Sequence, residues 1–141
     1  MADTKSDLVL AGVRPDMLSP AGITLSQVAT YTVPAGGSPG IGDLCEMVPV
    51  AKGAKILEVT IASSDTTASL TLDVGDATTV DKYLDAVDGS AAFIASLTGA
   101  GDAANDGVGY EYTAADTIDI TFNVAAPTAG NIYTMTVTYV M

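Results

Sequence analysis

Gly53–Leu84 reads GAKILEVTIASSDTTASLTLDVGDATTVDKYL, and this stretch decides the fold class. Leu57, Val59 and Ile61 alternate with Glu58 and Thr60. Leu70, Leu72 and Val74 then alternate with Thr71 and Asp73. A period of two puts successive side chains on opposite faces, so each run predicts a strand with one oily and one wet face. The second run ends on Gly75-Asp76, and a small polar segment leads to Tyr83-Leu84. Nothing here supplies a nucleophile, a general base or a phosphate cradle. The stretch describes a rigid scaffold.

The same alternation recurs outward along the chain. Thr117–Val124 predicts a strand with Ile118, Ile120, Phe122 and Val124 inward and Asp119, Thr121 and Asn123 outward. The last strand sets Tyr133, Met135, Val137 and Tyr139 against Thr134, Thr136 and Thr138. Ile23–Val33 reads as a strand stopped by Pro34. Asp43–Val50 reads as an edge or bulged strand because Pro49 cannot donate to a ladder. Ala91–Leu97 and Val108–Tyr112 read as short strands, the latter with Tyr110 and Tyr112 on one face. Residues 76–90 read as a connection with one helical turn around Val80–Leu84. Short strands separated by turn signals, with no helix of useful length, predict an all-β antiparallel sandwich, and a jelly roll is the expected form. Leu57, Val59, Leu70, Leu72, Ile118, Ile120, Phe122, Met135 and Val137 are its expected core.

The chain has 141 residues, which makes one domain the simplest division. Residues 1–22 form a leading arm in which Pro15 and Pro20 forbid a long helix, and residues 23–141 form the sandwich. The arm is expected to be either an edge strand of the protein's own sheet or a segment lying on a neighbouring subunit. Its candidate partner contacts are Leu8, Val9, Leu10, Val13 and Arg14.

Charge narrows the partners. The formal charge is −12, from 17 acids against Lys5, Arg14, Lys52, Lys55 and Lys82. The arm carries three of the acids and two of the bases, so the body is the strongly acidic part. Such a surface repels phosphate backbones and anionic headgroups, so neither nucleic acid nor membrane is an expected partner. No apolar run approaches the ~20 residues of a membrane span. The start Met-Ala-Asp lacks a basic segment ahead of an apolar one, which predicts folding in a reducing cytoplasm.

With no His in the chain, Ser-His-Asp, Cys-His and His-metal arrangements are impossible. Cys45 is the lone cysteine, beside Leu44, Met47 and Val48, and reads as a small buried hydrophobe. Gly99-Ala-Gly101-Asp-Ala-Ala104 matches a dinucleotide fingerprint on paper, but Asn105-Asp106-Gly107 follows where a helix is required. The run Pro34–Gly42 lacks the Gly-Lys-Ser/Thr ending of a phosphate loop. Asp73, Asp76 and Asp81 are candidate Ca²⁺ ligands, as are Asp102, Asn105 and Asp106. Neither set has the spacing of an EF-hand loop, and both types are ordinary in turns. No catalytic residue and no cofactor is expected.

One order of features is distinctive. A Thr- and Tyr-rich strand leads to Gly42-Asp43-Leu44 and then to Val50-Ala-Lys-Gly53-Ala-Lys-Ile56-Leu57. Leu70-Thr-Leu-Asp-Val-Gly75-Asp76 and Val80-Asp-Lys-Tyr83-Leu84 follow, with an aromatic, Thr-rich strand at the end. Residues 24–141 in this order resemble the small jelly-roll decoration, or cement, proteins of tailed bacteriophages. The resemblance implies a non-enzymatic virion protein on the capsid exterior, assembled in the host cytoplasm, with the major capsid protein and its own copies, often as homotrimers, for partners. The alternatives are another virion component, such as a head–tail joining or tail-fibre domain, and a carbohydrate-binding sandwich module. The lack of Trp speaks against the last, which needs an exposed stacking platform.

Overall fold

The computed structural model describes Ser6 and residues 23–36, 39–98 and 107–141. Its eight strands are β1 (Thr24–Thr32), β2 (Leu44–Val50), β3 (Lys55–Ser63), β4 (Thr71–Gly75), β5 (Leu84–Asp88), β6 (Phe93–Ser96), β7 (Asp116–Asn123) and β8 (Ile132–Val140). They form two four-stranded sheets, in the orders β1-β8-β3-β6 and β2-β7-β4-β5, with every pair antiparallel. Strand β1 pairs with β8, β2 with β7, β3 with β6 and β4 with β5. That nested pairing is a chain doubled back at β4–β5 and rolled up as one long hairpin, which is a jelly roll.

The core fills the space between the sheets. Val59, Leu70, Leu72, Ile118, Ile120, Phe122, Met135 and Val137 are all fully buried there, with Tyr31, Tyr133, Tyr139 and Met47. Phe122 of one sheet meets Tyr133 of the other, ring centres 5.2 Å apart. Cys45 is buried among them, its thiol 3.9 Å from the Met47 sulfur. Each inward Val, Leu, Ile or Phe contributes on the order of 1.5–3 kcal/mol through removal from water.

Several expectations are corrected. Leu57 is 37% exposed, and Ile56 takes its place in the core. The ladder between β3 and β8 shifts register between Ile56 and Glu58, so a bulge at Leu57 interrupts the alternation. Val124 is 66% exposed, because a φ of 65° ends β7 one residue earlier and turns the side chain out. Residues 84–88 form β5, where a loop and helical turn were expected. Val108–Tyr112 is a turn with one isolated bridge, Glu111 to Lys55, in place of a strand. Pro49 does lie on an edge strand, and the β2–β7 ladder slips between Glu46 and Val48.

Candidate interaction surfaces

The two sheets present different outer faces. On β1-β8-β3-β6 the register places Val28, Thr136, Thr60 and Ser96 in one row and Thr30, Thr134, Ala62 and Ile94 in the next. Thr32 pairs with Ile132 beyond them. None of these residues is charged. Lys55 and Glu58 lie toward the other end of β3, paired with Val140 and Thr138. Glu58 is engaged locally, accepting hydrogen bonds from the backbone N–H and the hydroxyl of Thr98.

The outer face of β2-β7-β4-β5 is a row of acids. Glu46 lies opposite Asp119, and Asp73 lies opposite Thr121. These positions read as solvent-facing in the sequence, yet Asp119 is 2% exposed, and Thr121 and Asp73 are also buried. Asp73 is satisfied: it accepts from the Ala86 N–H at 2.8 Å and the Asn123 amide at 2.6 Å. One carboxylate oxygen of Asp119 makes no hydrogen bond. Burial, with the charges of Glu46 and Asp116 nearby, pushes its pKa up to about 7.

The candidate cation ligands separate. Asp76 is buried and accepts from the N–H groups of Thr78 and Thr79 and from Lys82. Asp81 is exposed in the turn beyond it. Among the described residues no group of three or more acids, Cys or His has an arrangement that could hold a metal ion. Asp102, Asn105 and Asp106 lie outside the described residues.

The sequence reading missed what Asp76 does instead. Tyr83 donates to the Tyr112 hydroxyl at 2.9 Å, and Tyr112 donates to Asp76 at 3.2 Å. The Lys82 ammonium pairs with Asp76 and lies 3.7 Å from the centre of the Tyr110 ring, which stands edge-on to Tyr112. Burial alone would raise the Asp76 pKa, but Lys82 and the two N–H donors together lower it from its ordinary value. Burial raises both tyrosine pKa values, so these hydroxyls stay protonated and donate. Two glycines let the parts close. A Cβ on Gly75 would come within 2.1 Å of the Thr79 carbonyl, and one on Gly107 within 2.3 Å of the Tyr83 ring. The signal was available: Lys82 is the sole base after Lys55 and sits between Asp76 and Asp85. This latch ties segment 76–83 to segment 107–112.

Leu8, Val9, Leu10, Val13 and Arg14 lie outside the described residues. Ser6 is the one described position of the arm. Its N–H donates to the Glu46 carbonyl at 2.8 Å and its hydroxyl to the Met47 carbonyl, both on edge strand β2.

No protein-family model matches the chain, and no curated protein does. Solved structures do. A chain in the capsid of Ralstonia phage GP4 superposes with a TM-score of 0.74 at 18% identity, over 97% of this chain and 96% of that one. The two chains share one fold. A chain of the cyanophage Pam1 capsid asymmetric unit follows it over 93% of this chain and 96% of that one, with a TM-score of 0.56 and 22% identity. A chain in the acid-stable capsid structure of Helicobacter pylori bacteriophage KHP30 covers 86% of this chain and 90% of its own, with a TM-score of 0.59 and 15% identity. In each pair nearly the whole of both chains aligns, so these capsid components are small chains of similar length and the same sandwich.

Proposed function

We propose that the protein is a structural component of a phage virion, a decoration protein that binds the outside of the head and stabilises it. The observation that carries this reading is the end-to-end likeness to small chains found in three phage capsids. Charge supports the exterior. A subunit whose surface lines the packaged genome faces a dense array of phosphates, and a chain of net charge −12 would be repelled there. The role is mechanical: a rigid sandwich clamps neighbouring shell subunits through contact area, with no bond made or broken. Its partners are then the major capsid protein, reached through the arm residues Leu8, Val9, Leu10, Val13 and Arg14, and further copies of itself.

Quantitative mass spectrometry of purified particles tests this. A decoration protein is present in copies comparable to the major capsid protein. A head–tail joining protein occurs as a single ring, and a copy number of that order would replace this reading with the joining role. Particles lacking the protein should assemble and package DNA but release it at a lower temperature. Adding the purified protein back should restore the release temperature, and failure to bind such particles would remove the decoration role.

A further inference from the structure

The neutral sheet face is unusual for this chain. Of 17 acids, none falls in the rows running from Val28 to Ser96, from Thr30 to Ile94, or at Thr32 and Ile132. The face also carries large apolar side chains in water: Ile94 is 81% exposed, Val28 57% and Ile132 46%. Ile94 and Ile132 line an open groove of about 700 Å³ with Ala62, Ala92, Phe93 and Thr134. A contiguous uncharged patch of this kind marks a contact surface.

We propose that this face is where copies of the chain meet one another. Charge selects that occupant. Two copies of an acidic body repel, and like charges brought together at an interface cost several kcal/mol. A copy can therefore dock best where acids are fewest, and these rows, bounded by Glu58 at one end and Asp65 beside Ile132 at the other, satisfy that condition on both sides of the contact. A basic partner would gain nothing here and would seek the acidic surfaces instead. Geometry fits as well. Strands ~4.8 Å apart with ~3.3 Å per residue give the whole sheet, its Lys55 and Glu58 end included, a flat projection of about 500 Å². That is smaller than the ~800 Å² per partner of a standard interface, the size of a contact that depends on concentration. Thr, Ser, Ala and β-branched side chains suit face-to-face sheet packing ~10 Å apart. Ile94, at the edge on β6, is the protruding side chain, and the groove beside it is the matching recess.

This inference does not depend on the virion reading, because it concerns the purified protein alone. Light scattering across a concentration and salt series tests it, with wild type, Ile94→Asp, Val28→Lys and the control Asp81→Asn. The expected result is a multimer whose association strengthens as salt rises, since salt screens the repulsion between acidic bodies and leaves the neutral contact intact. Ile94→Asp and Val28→Lys should each weaken association by about tenfold or more, because each buries an unpaired charge. Their melting temperatures extrapolated to the monomer should match wild type, and Asp81→Asn should associate normally. A wild type that stays monomeric at every concentration and salt overturns the proposal, as does a multimer retained in both variants. A monomeric wild type whose binding to particles is abolished by Ile94→Asp would overturn it too, assigning the face to the capsid.

Discussion

Among the described residues the two sheets have equal strand counts and share one core, yet their outer faces are chemical opposites. Away from its Lys55 and Glu58 end, the outside of β1-β8-β3-β6 is uncharged and open to solvent, with Ile94 and Val28 protruding. The outside of β2-β7-β4-β5 is acidic and closed, with Asp73 and Asp119 buried. Alternation explains neither difference, since it specifies only that one side of each strand faces the core. The identity of the other side is free of the fold and available to function. A neutral open face can accept a like-charged copy, whereas a closed row of acids repels one and carries a strain that depends on pH. The two faces therefore divide the work between contact and tuning.

The largest expected effect removes the inner surface that both sheets share. Ile120→Ala on β7 and Met135→Ala on β8 should each cost about 2–5 kcal/mol, from lost burial and a cavity. Ile94→Ala, on the open face, should change the monomer's stability by no more than about 0.5 kcal/mol. Urea denaturation of the three variants checks the contrast. A large cost for Ile94→Ala would mean that the outer neutral face is part of the monomer's own core.

A middle-sized effect separates two buried carboxylates that the sequence presents as equals. Asp119 has a folded-state pKa raised to about 7 from 3.8. The folded state therefore holds a proton that the unfolded state has released, and stability falls as pH rises from about 4 to about 7. At about 1.4 kcal/mol per unit, the loss is on the order of 4 kcal/mol at most. Asp76 has a lowered pKa, so its contribution is present above 3.8 and is lost as pH falls through the folded value. Asp119→Asn should thus raise the denaturation midpoint at pH 8 by the equivalent of about 1–3 kcal/mol. At pH 4 it should leave the midpoint nearly unchanged. An equal shift at both values would show that the gain comes from packing and not from removal of a buried charge.

How much of this was legible follows from where each element gets its stability. Strands β3, β7 and β8 announce themselves because their inward side chains recur every second residue, over seven positions from Tyr133 to Tyr139 in β8 and over five from Ile118 to Phe122 in β7. Strand β5 does not. Leu84-Asp85-Ala86-Val87-Asp88 holds little apolar pattern, Ala86 has a φ of 52°, and the strand exists because β4 offers it a partner. Asp119 alternates like a surface residue, and only the folded chain shows that its face is covered. The latch joins residues 36 positions apart in Asp76 and Tyr112, a pairing that no local rule contains. The acidic body was legible in composition, but the sorting of its charges between two faces required the register.

The smallest effect tests the bulge that misled the alternation. Leu57 and Val59 occupy the same strand, two residues apart, and a strict period of two would bury both. The register shift between Ile56 and Glu58 instead leaves Leu57 37% exposed while Val59 is fully buried. Threonine keeps the β-branched shape a strand favours and adds a hydroxyl, so the same replacement probes burial at both sites. Val59→Thr should cost about 1–3 kcal/mol, because the hydroxyl enters an apolar core without a ready partner. Leu57→Thr should cost less than about 1 kcal/mol, since the hydroxyl reaches water and only part of the leucine leaves a contact. Thermal melts of the two variants in parallel measure the difference directly. Equal costs would mean that the bulge closes in solution and Leu57 returns to the core. Its neighbour Ile56 would then be turned out, while Thr60 and Ala62, beyond the bulge, would keep their places in the uncharged rows.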